Sequence, residues 1–346
     1  MLFIIKLLVI INIIMNIISF QQPVDYYKEQ IKINNRNQQV HTLVIDMDNR
    51  QLSIVNALSF GKIYGFEETS KMVKKNKAIA GVNGMFYSTY GHHIGLLVSN
   101  KQLITKAYSK TPIFAILDDN TPYIGDVNTE VSILASNNII KVAVMNDEAP
   151  EETWVLYKSI YGNTTRITRK SINYIIEDNN VINKIVSEEP VDIPENGYVI
   201  SRVTNEPDKY NILDIGDNVN IEIKYIPDIG VIKEAFQSGG WLVKNGHNIA
   251  KNNEVFIGNT NIPNPRTIIG ITYDNKVIIK VIDGRQLGYS YGISGKEAGD
   301  IMIEEKCKEA IYLDGGASST MVFEGKVVNS PSNKIERKVA HSILIK

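Results

Sequence analysis

A recurring unit constrains this chain more than any other feature: a short apolar run that stops on a polar residue next to glycine. Ala78 to Val82 runs into Asn83-Gly84, and Val277 to Ile282 runs into Asp283-Gly284-Arg285. Ala310 to Leu313 stops at Asp314-Gly315-Gly316-Ala317-Ser318-Ser319, and Gln237-Ser238-Gly239-Gly240 precedes Trp241-Leu242-Val243. Apolar runs of this length bounded by turn residues are strands rather than helices. Glycine at a strand end allows positive φ and lets a ligand approach the backbone closely. Any one of these segments reads as a tight turn. Together, with acids at the strand ends, they point to a site carried on loops that a rigid sheet holds in place.

The remaining pattern is also strand-rich. Asn245-Gly246, Asp274-Asn275 and Glu324-Gly325 each sit between apolar runs and predict hairpins. Asp48-Asn49 predicts another, between Val40 to Ile45 and Leu52 to Val55. Phe66 to Lys75 is a short helix candidate, and Val131 to Val144 is strand territory. Ser294 followed by Glu297 makes a capping box at the start of a helix that carries Ala298, Ile301, Met302 and Cys307. The expected class is α+β, with β-rich mixed sheets and few helices. Residues 125–232 hold regular turn signals and no cluster of catalytic residue types, which predicts a β-rich insertion or subdomain inside a domain covering 21–346.

A chain of 346 residues with a net charge of −1 and scattered cations argues against nucleic acid, which needs a concentrated basic face. Residues 1–20, MLFIIKLLVIINIIMNIISF, form a signal peptide or an uncleaved membrane anchor. Ser19 is the small residue at a usable cleavage position, which favours the signal peptide. The rest of the chain is then expected outside the cytoplasmic membrane, touching a membrane only through that segment. Cys307 is the single cysteine, so no internal disulfide forms, and it reads as a buried small residue rather than a nucleophile.

Pro265 stiffens the approach to a strand that Arg266 enters, and a guanidinium at a sheet mouth suits bidentate capture of phosphate oxygens. Arg285 and Arg337 add positive charge if they converge on the same place. The common hydrolase templates do not fit. There is no Gly-x-Ser-x-Gly elbow, no phosphate-binding P-loop and no His-Glu-x-x-His. His92 and His93 are adjacent and would face opposite ways, which disfavours a shared metal, while His247 follows a turn and is expected exposed. Asp283, Asp314 and Asn83 offer oxygen ligands, so a divalent metal stays open, although the spacing demands no metal and no cofactor.

Taken in order, GVNGMFY, QSGGWLVKNG, NPRTIIGI, VIDGR and SGKEAGDIMIEEKCKEAIYLDGGASSTMVFEGKVVNSPSNKIERKVA resemble the phosphodiester glycosidase family over residues 77–346. The strand followed by Asp314-Gly315-Gly316 and Ser318-Ser319, with Asn329 and Glu336-Arg337 beyond, is the specific part. Met85 and Ala317 depart mildly from positions where the family often has glycine. The resemblance implies hydrolysis of a sugar-phosphate diester, or of a glycan carrying one, on the sugar side. It implies Asp283 and Asp314 for the carboxylate work, Arg266 for the phosphate and, secondarily, Arg285 and Arg337. Asn83, Thr267, Ser318 and Ser319 would orient sugar hydroxyls or phosphate oxygens, with Gly239, Gly240, Gly315 and Gly316 letting the ligand approach. Two other functions fit the residues: a metal-dependent phosphodiesterase cutting the other bond, and a non-catalytic glycan-binding surface protein.

Overall fold

The computed structural model describes residues 24–49, 51–108, 111–135 and 138–346. The segment at 1–20 lies outside them. Four large sheets dominate. At 49% strand and 8% helix the fold is β-rich, so the α+β expectation holds only in its broad sense.

The first sheet has seven strands, in the order Val24–Ile33, Arg36–Asp46, Lys276–Ile282, Arg266–Thr272, Cys307–Tyr312, Trp241–Lys244 and His247–Asn248. Its three central strands are almost wholly buried, which explains their continuous Ile and Val runs. Arg266–Thr272 pairs antiparallel with both Lys276–Ile282 and Cys307–Tyr312. The last residues of those two outer strands therefore lie at the same sheet end as Arg266, and that end carries Asp283 and Asp314.

A second sheet holds Ala80–Asn83 between Met321–Phe323 and His341–Ile345. The segment from Leu313 to Thr320 thus bridges two sheets. A third, five-stranded sheet centres on Ile232–Gln237. The fourth is built wholly from the stretch between Asn128 and Ile226, with seven strands. One apolar cluster runs through all four, joining for example Ile45, Val82, Phe114, Val155 and Ile269.

Helix Gly295–Glu304 starts on the expected capping box, with Ser294 Oγ accepting from Glu297 N and the Glu297 carboxylate accepting from Ser294 N. Ala298, Ile301 and Met302 pack it on the first sheet. Gly270 permits this contact, because a Cβ there would stand 2.6 Å from Met302 Cε.

Three local expectations change. The strands either side of Asp48-Asn49 do not pair with each other. Arg36–Asp46 joins the first sheet, and Ile54–Leu58 pairs with His341–Ile345. A turn signal fixes a local reversal, whereas long-range partners decide pairing. Cys307 opens a strand rather than extending the helix, which ends at Glu304. The helix predicted from Phe66 is confined to Thr69–Lys75.

Candidate active site

Asp314 follows the strand Cys307–Tyr312 and opens the loop that crosses to the second sheet. Asn83 fastens that loop. It is fully buried; its Nδ2 donates to Asp314 O at 2.5 Å, and its Oδ1 accepts from Thr320 N at 3.1 Å and Thr267 Oγ1 at 2.8 Å. Thr267 Oγ1 also lies within hydrogen-bond distance of Ser319 Oγ, at 3.2 Å. A single amide therefore ties both ends of the loop to the first sheet. Asn83, Thr267, Ser318 and Ser319 are all buried, and their hydrogen bonds hold the loop.

A cavity of about 160 Å³ opens beside this loop. Asp314, Gly315, Gly316, Arg266, Arg285 and Asn264 give its polar wall; Phe86, Phe256, Ile257 and Leu313 give its apolar one. Asp314 is the one acid on that wall. Burial raises its carboxyl to about 6, against the opposing hydrogen bonds from Ser318 and Gly315 N and the Arg337 charge. Gly315 N donates to its Oδ1 at 2.8 Å. Arg337 is exposed and acts on Asp314 through its field from outside the cavity lining.

Arg266 is 4% exposed. Its Nε donates to Ile293 O at 3.2 Å and its Nη2 to Ile262 O at 3.2 Å and Thr260 O at 3.4 Å, which fixes the guanidinium plane. Burial pulls its pKa down, yet an arginine stays charged at any physiological pH. Arg285 adopts φ 60° and donates from Nε to Asn264 Oδ1 at 3.0 Å. Its Nη2 would stand 3.1 Å from a Cβ on Gly316, so glycine at 316, itself at φ +63°, keeps the loop and guanidinium in contact. Gly239 and Gly240 lie outside the cavity lining, and Gly239 backs the Phe86 ring that is part of it. A Cβ on Gly239 would meet the Phe86 ring at 2.6 Å, and one on Gly240, at φ +136°, would meet the Glu254 carboxyl at 2.4 Å.

Asp283 reaches the same sheet end without reaching the cavity lining. Its side chain is fully buried, and it accepts from Asn329 Nδ2 and Ser330 N, each at 3.0 Å, with His41 Nε2 at 3.4 Å. Asn329 in turn donates to Ser319 O and accepts from Met321 N. Asp283 thus anchors the far end of the loop that Asp314 begins. The structure separates two acids that the sequence placed together.

Phe86, Phe256, Ile257 and Asn264 line the cavity without having been singled out as site residues. Their signal was available only in part: Phe86 sits in GVNGMFY and Asn264 directly precedes Pro265-Arg266, whereas Phe256 and Ile257 lie in an irregular stretch with no pattern. No described histidine lines this cavity. His92 and His93 ring nitrogens lie 2.8 Å from Asn146 O and 3.1 Å from Ala340 O, and His247 is exposed. Among the described residues no group of three or more His, Cys, Asp or Glu side chains is placed to share a metal ion, and no helix is long and apolar enough to cross a membrane.

A β-rich scaffold sets one carboxyl among guanidiniums at strand ends, an arrangement chemically suited to holding an anion beside a carboxylate. The chain belongs to the phosphodiester glycosidase family, whose model matches residues 161–346. Among curated proteins it is similar to the SPbeta prophage-derived uncharacterized protein YomE of Bacillus subtilis (strain 168), 34% identical over 113 residues, which is 33% of this chain and 17% of that protein. Among solved structures, a hypothetical protein from Synechocystis shares the fold at TM-score 0.81 and 15% identity, over 94% of this chain and 62% of the other. A Burkholderia pseudomallei K96243 protein whose name calls it exported does so at TM-score 0.72 and 20% identity, over 90% and 74%. The catalytic domain of zebrafish N-acetylglucosamine-1-phosphodiester alpha-N-acetylglucosaminidase, auto-inhibited by its pro-peptide, matches at TM-score 0.55 and 14% identity, over 94% and 84%.

Proposed function

We propose that this chain is an exported hydrolase that splits a glycosyl phosphodiester at the sugar–phosphate link, releasing a free sugar and a phosphomonoester. The observation that carries the reading is the grouping of Asp314, Arg266 and Arg285 around one small cavity. The guanidiniums would hold the diester anion and neutralise the second charge that develops on the departing phosphate. A phosphomonoester leaves readily, so the reaction asks little of a general acid. It asks for a carboxylate that shields an oxocarbenium-like carbon or takes a proton from the attacking water. With its carboxyl at about 6, Asp314 is mostly ionised at neutral pH, which suits that role. Export is supported by the apolar segment Met1 to Phe20 and by the likeness to a protein named as exported.

The test is product identification on N-acetylglucosamine-1-phosphodiesters and related glycosyl phosphodiesters, with and without chelator. Free sugar with a phosphomonoester is the expected result. Release of sugar-1-phosphate would sink the proposal and assign the site to a phosphodiesterase, with loss of activity in chelator marking a metal-dependent one.

A further inference from the structure

Asp314 has neighbours besides those in the cavity. Ser318 closes the single turn Gly316–Ser318 that follows it, and the buried Ser318 hydroxyl bonds the Asp314 carboxyl. The same Ser318 Oγ lies 3.3 Å from Tyr87 Oη. A serine hydroxyl has one proton to give. An ionised carboxylate is the stronger acceptor, so that proton goes to Asp314, and Ser318 Oγ accepts from the Tyr87 O–H. The three groups then form one chain of donors that ends on Asp314.

Tyr87 closes the sequence GVNGMFY, directly after Phe86 of the cavity wall. Its place is set independently of Ser318. The ring stands edge-on to Phe66, with centroids 5.5 Å apart, and packs on the apolar cluster that holds Met72, Val73 and Leu344. Its backbone bridges to His93, and the next residue, Ser88, donates from N to His92 O at 2.8 Å. Among the described residues, Ser318 is the hydrogen-bond partner of the Tyr87 hydroxyl. Burial raises the phenol pKa and the Asp314 charge adds to it, so Tyr87 stays a neutral donor wherever Asp314 titrates.

The charged and titratable groups that face Asp314 are Arg266 and Arg285 on the cavity wall and, outside the lining, Tyr87 and Arg337. Arg337 acts through its field. Its neighbour Glu336 is fastened to the helix Thr69–Lys75, accepting from Ser70 N at 2.8 Å and Ser70 Oγ at 2.5 Å. We infer that Tyr87 is a positioning residue: through Ser318 it holds the Asp314 carboxyl ionised and in one orientation, from outside the cavity. A hydroxyl that donates and accepts at once is polarised by each bond, so the outer donor strengthens the inner one. The inference rests on the proposed hydrolysis only for its kinetic consequence. The effect on the carboxyl is a property of the protein alone.

The test reads that carboxyl directly. Carbon-13 NMR of aspartate-labelled protein, without substrate, follows the Asp314 side-chain carbon between pH 4 and 8; its signal is the one missing from Asp314→Asn. Tyr87→Phe keeps the ring and removes only the hydroxyl, and should raise the Asp314 midpoint by about half a pH unit. Ser318→Ala removes the inner bond and should raise it by about one unit. Added to Ser318→Ala, Tyr87→Phe should do nothing more, because its path is gone, whereas Arg337→Gln should add its full shift in either background. A midpoint unmoved in Tyr87→Phe, or a Tyr87→Phe shift that survives in Ser318→Ala, overturns the inference. On a glycosyl phosphodiester, the acid limb of kcat/KM in Tyr87→Phe should move up by as much as the midpoint does. A shifted carboxyl with no turnover of any glycosyl phosphodiester removes the proposed reaction and leaves the role of Tyr87 standing. Turnover with an unmoved carboxyl does the reverse.

Discussion

Asp283 and Asp314 end two strands of one sheet, each followed by glycine, and both sit beside the strand that begins at Arg266. Their surroundings are opposite. Asp283 is closed off, with both carboxylate oxygens receiving protein N–H groups, so the charge is compensated where it stands. Asp314 lines an open cavity, where burial works against its charge and lifts its carboxyl to about 6. A satisfied buried carboxylate stabilises a structure, whereas an incompletely satisfied one is available for chemistry and costs stability. The difference comes from what the chain folds over each acid. Asn329 and the backbone of Ser330 fold over Asp283, while the chain after Asp314 turns away through Gly315 and Gly316.

The largest separation between the two should come from Asp314→Asn. It should cut kcat by at least a thousandfold on a glycosyl phosphodiester, as loss of a catalytic carboxylate typically does. Its thermal midpoint should hold or rise, because the substitution removes a charge that the fold disfavours. A large fall in the midpoint would make Asp314 a structural acid and erase the contrast.

Asp283→Ala should do the opposite. Leaving Asn329 and Ser330 N without their acceptor costs about 2–4 kcal/mol. Thermal unfolding should then begin roughly 3–6 °C lower. Below the melting range, kcat should fall far less than for Asp314→Asn. Equal kinetic losses with unchanged stability would place Asp283 in the chemistry after all.

The smallest effect sharpens the comparison through pH. The proposed chemistry uses Asp314 in its ionised form, so kcat/KM should fall as pH drops through about 6. The stability sign is opposite. The folded state holds the Asp314 proton more tightly than the unfolded chain does, so this group stabilises the fold as pH falls through that range. Buried His93 works the other way: its pKa is pulled down to about 4 by burial, and the unfolded chain takes up a proton near 6.5. Its contribution to stability is lost between those values as pH falls. Activity measured with circular dichroism between pH 4 and 8 checks the order: activity should decline near 6 while the fold persists. A flat rate profile across that range removes Asp314 as the titrating group.

By itself the sequence determined the strands and their ends. Ile and Val runs of strand length, Asn-Gly and Asp-Asn turns, and the Ser294–Glu297 box are local signals, and the hairpins after Val243 and Thr272 and the helix at Gly295 formed where those signals stood. It also marked the loop at Asp314 and the cation at Arg266, because glycine-rich strand ends and a proline-stiffened arginine are unusual locally. Only the tertiary structure decided which acid faces the cavity. The Asp283 and Asp314 segments are near equivalents in sequence, and their fates differ through Asn329, a partner 46 residues away from Asp283. Long-range contacts also broke the expected hairpin at Asp48-Asn49, turned Asn83 from a ligand-facing amide into the staple of the loop, and brought Phe256 beside Phe86. Local propensity acts over a few residues, whereas burial and the completion of hydrogen bonds are settled by whatever the packed chain brings alongside.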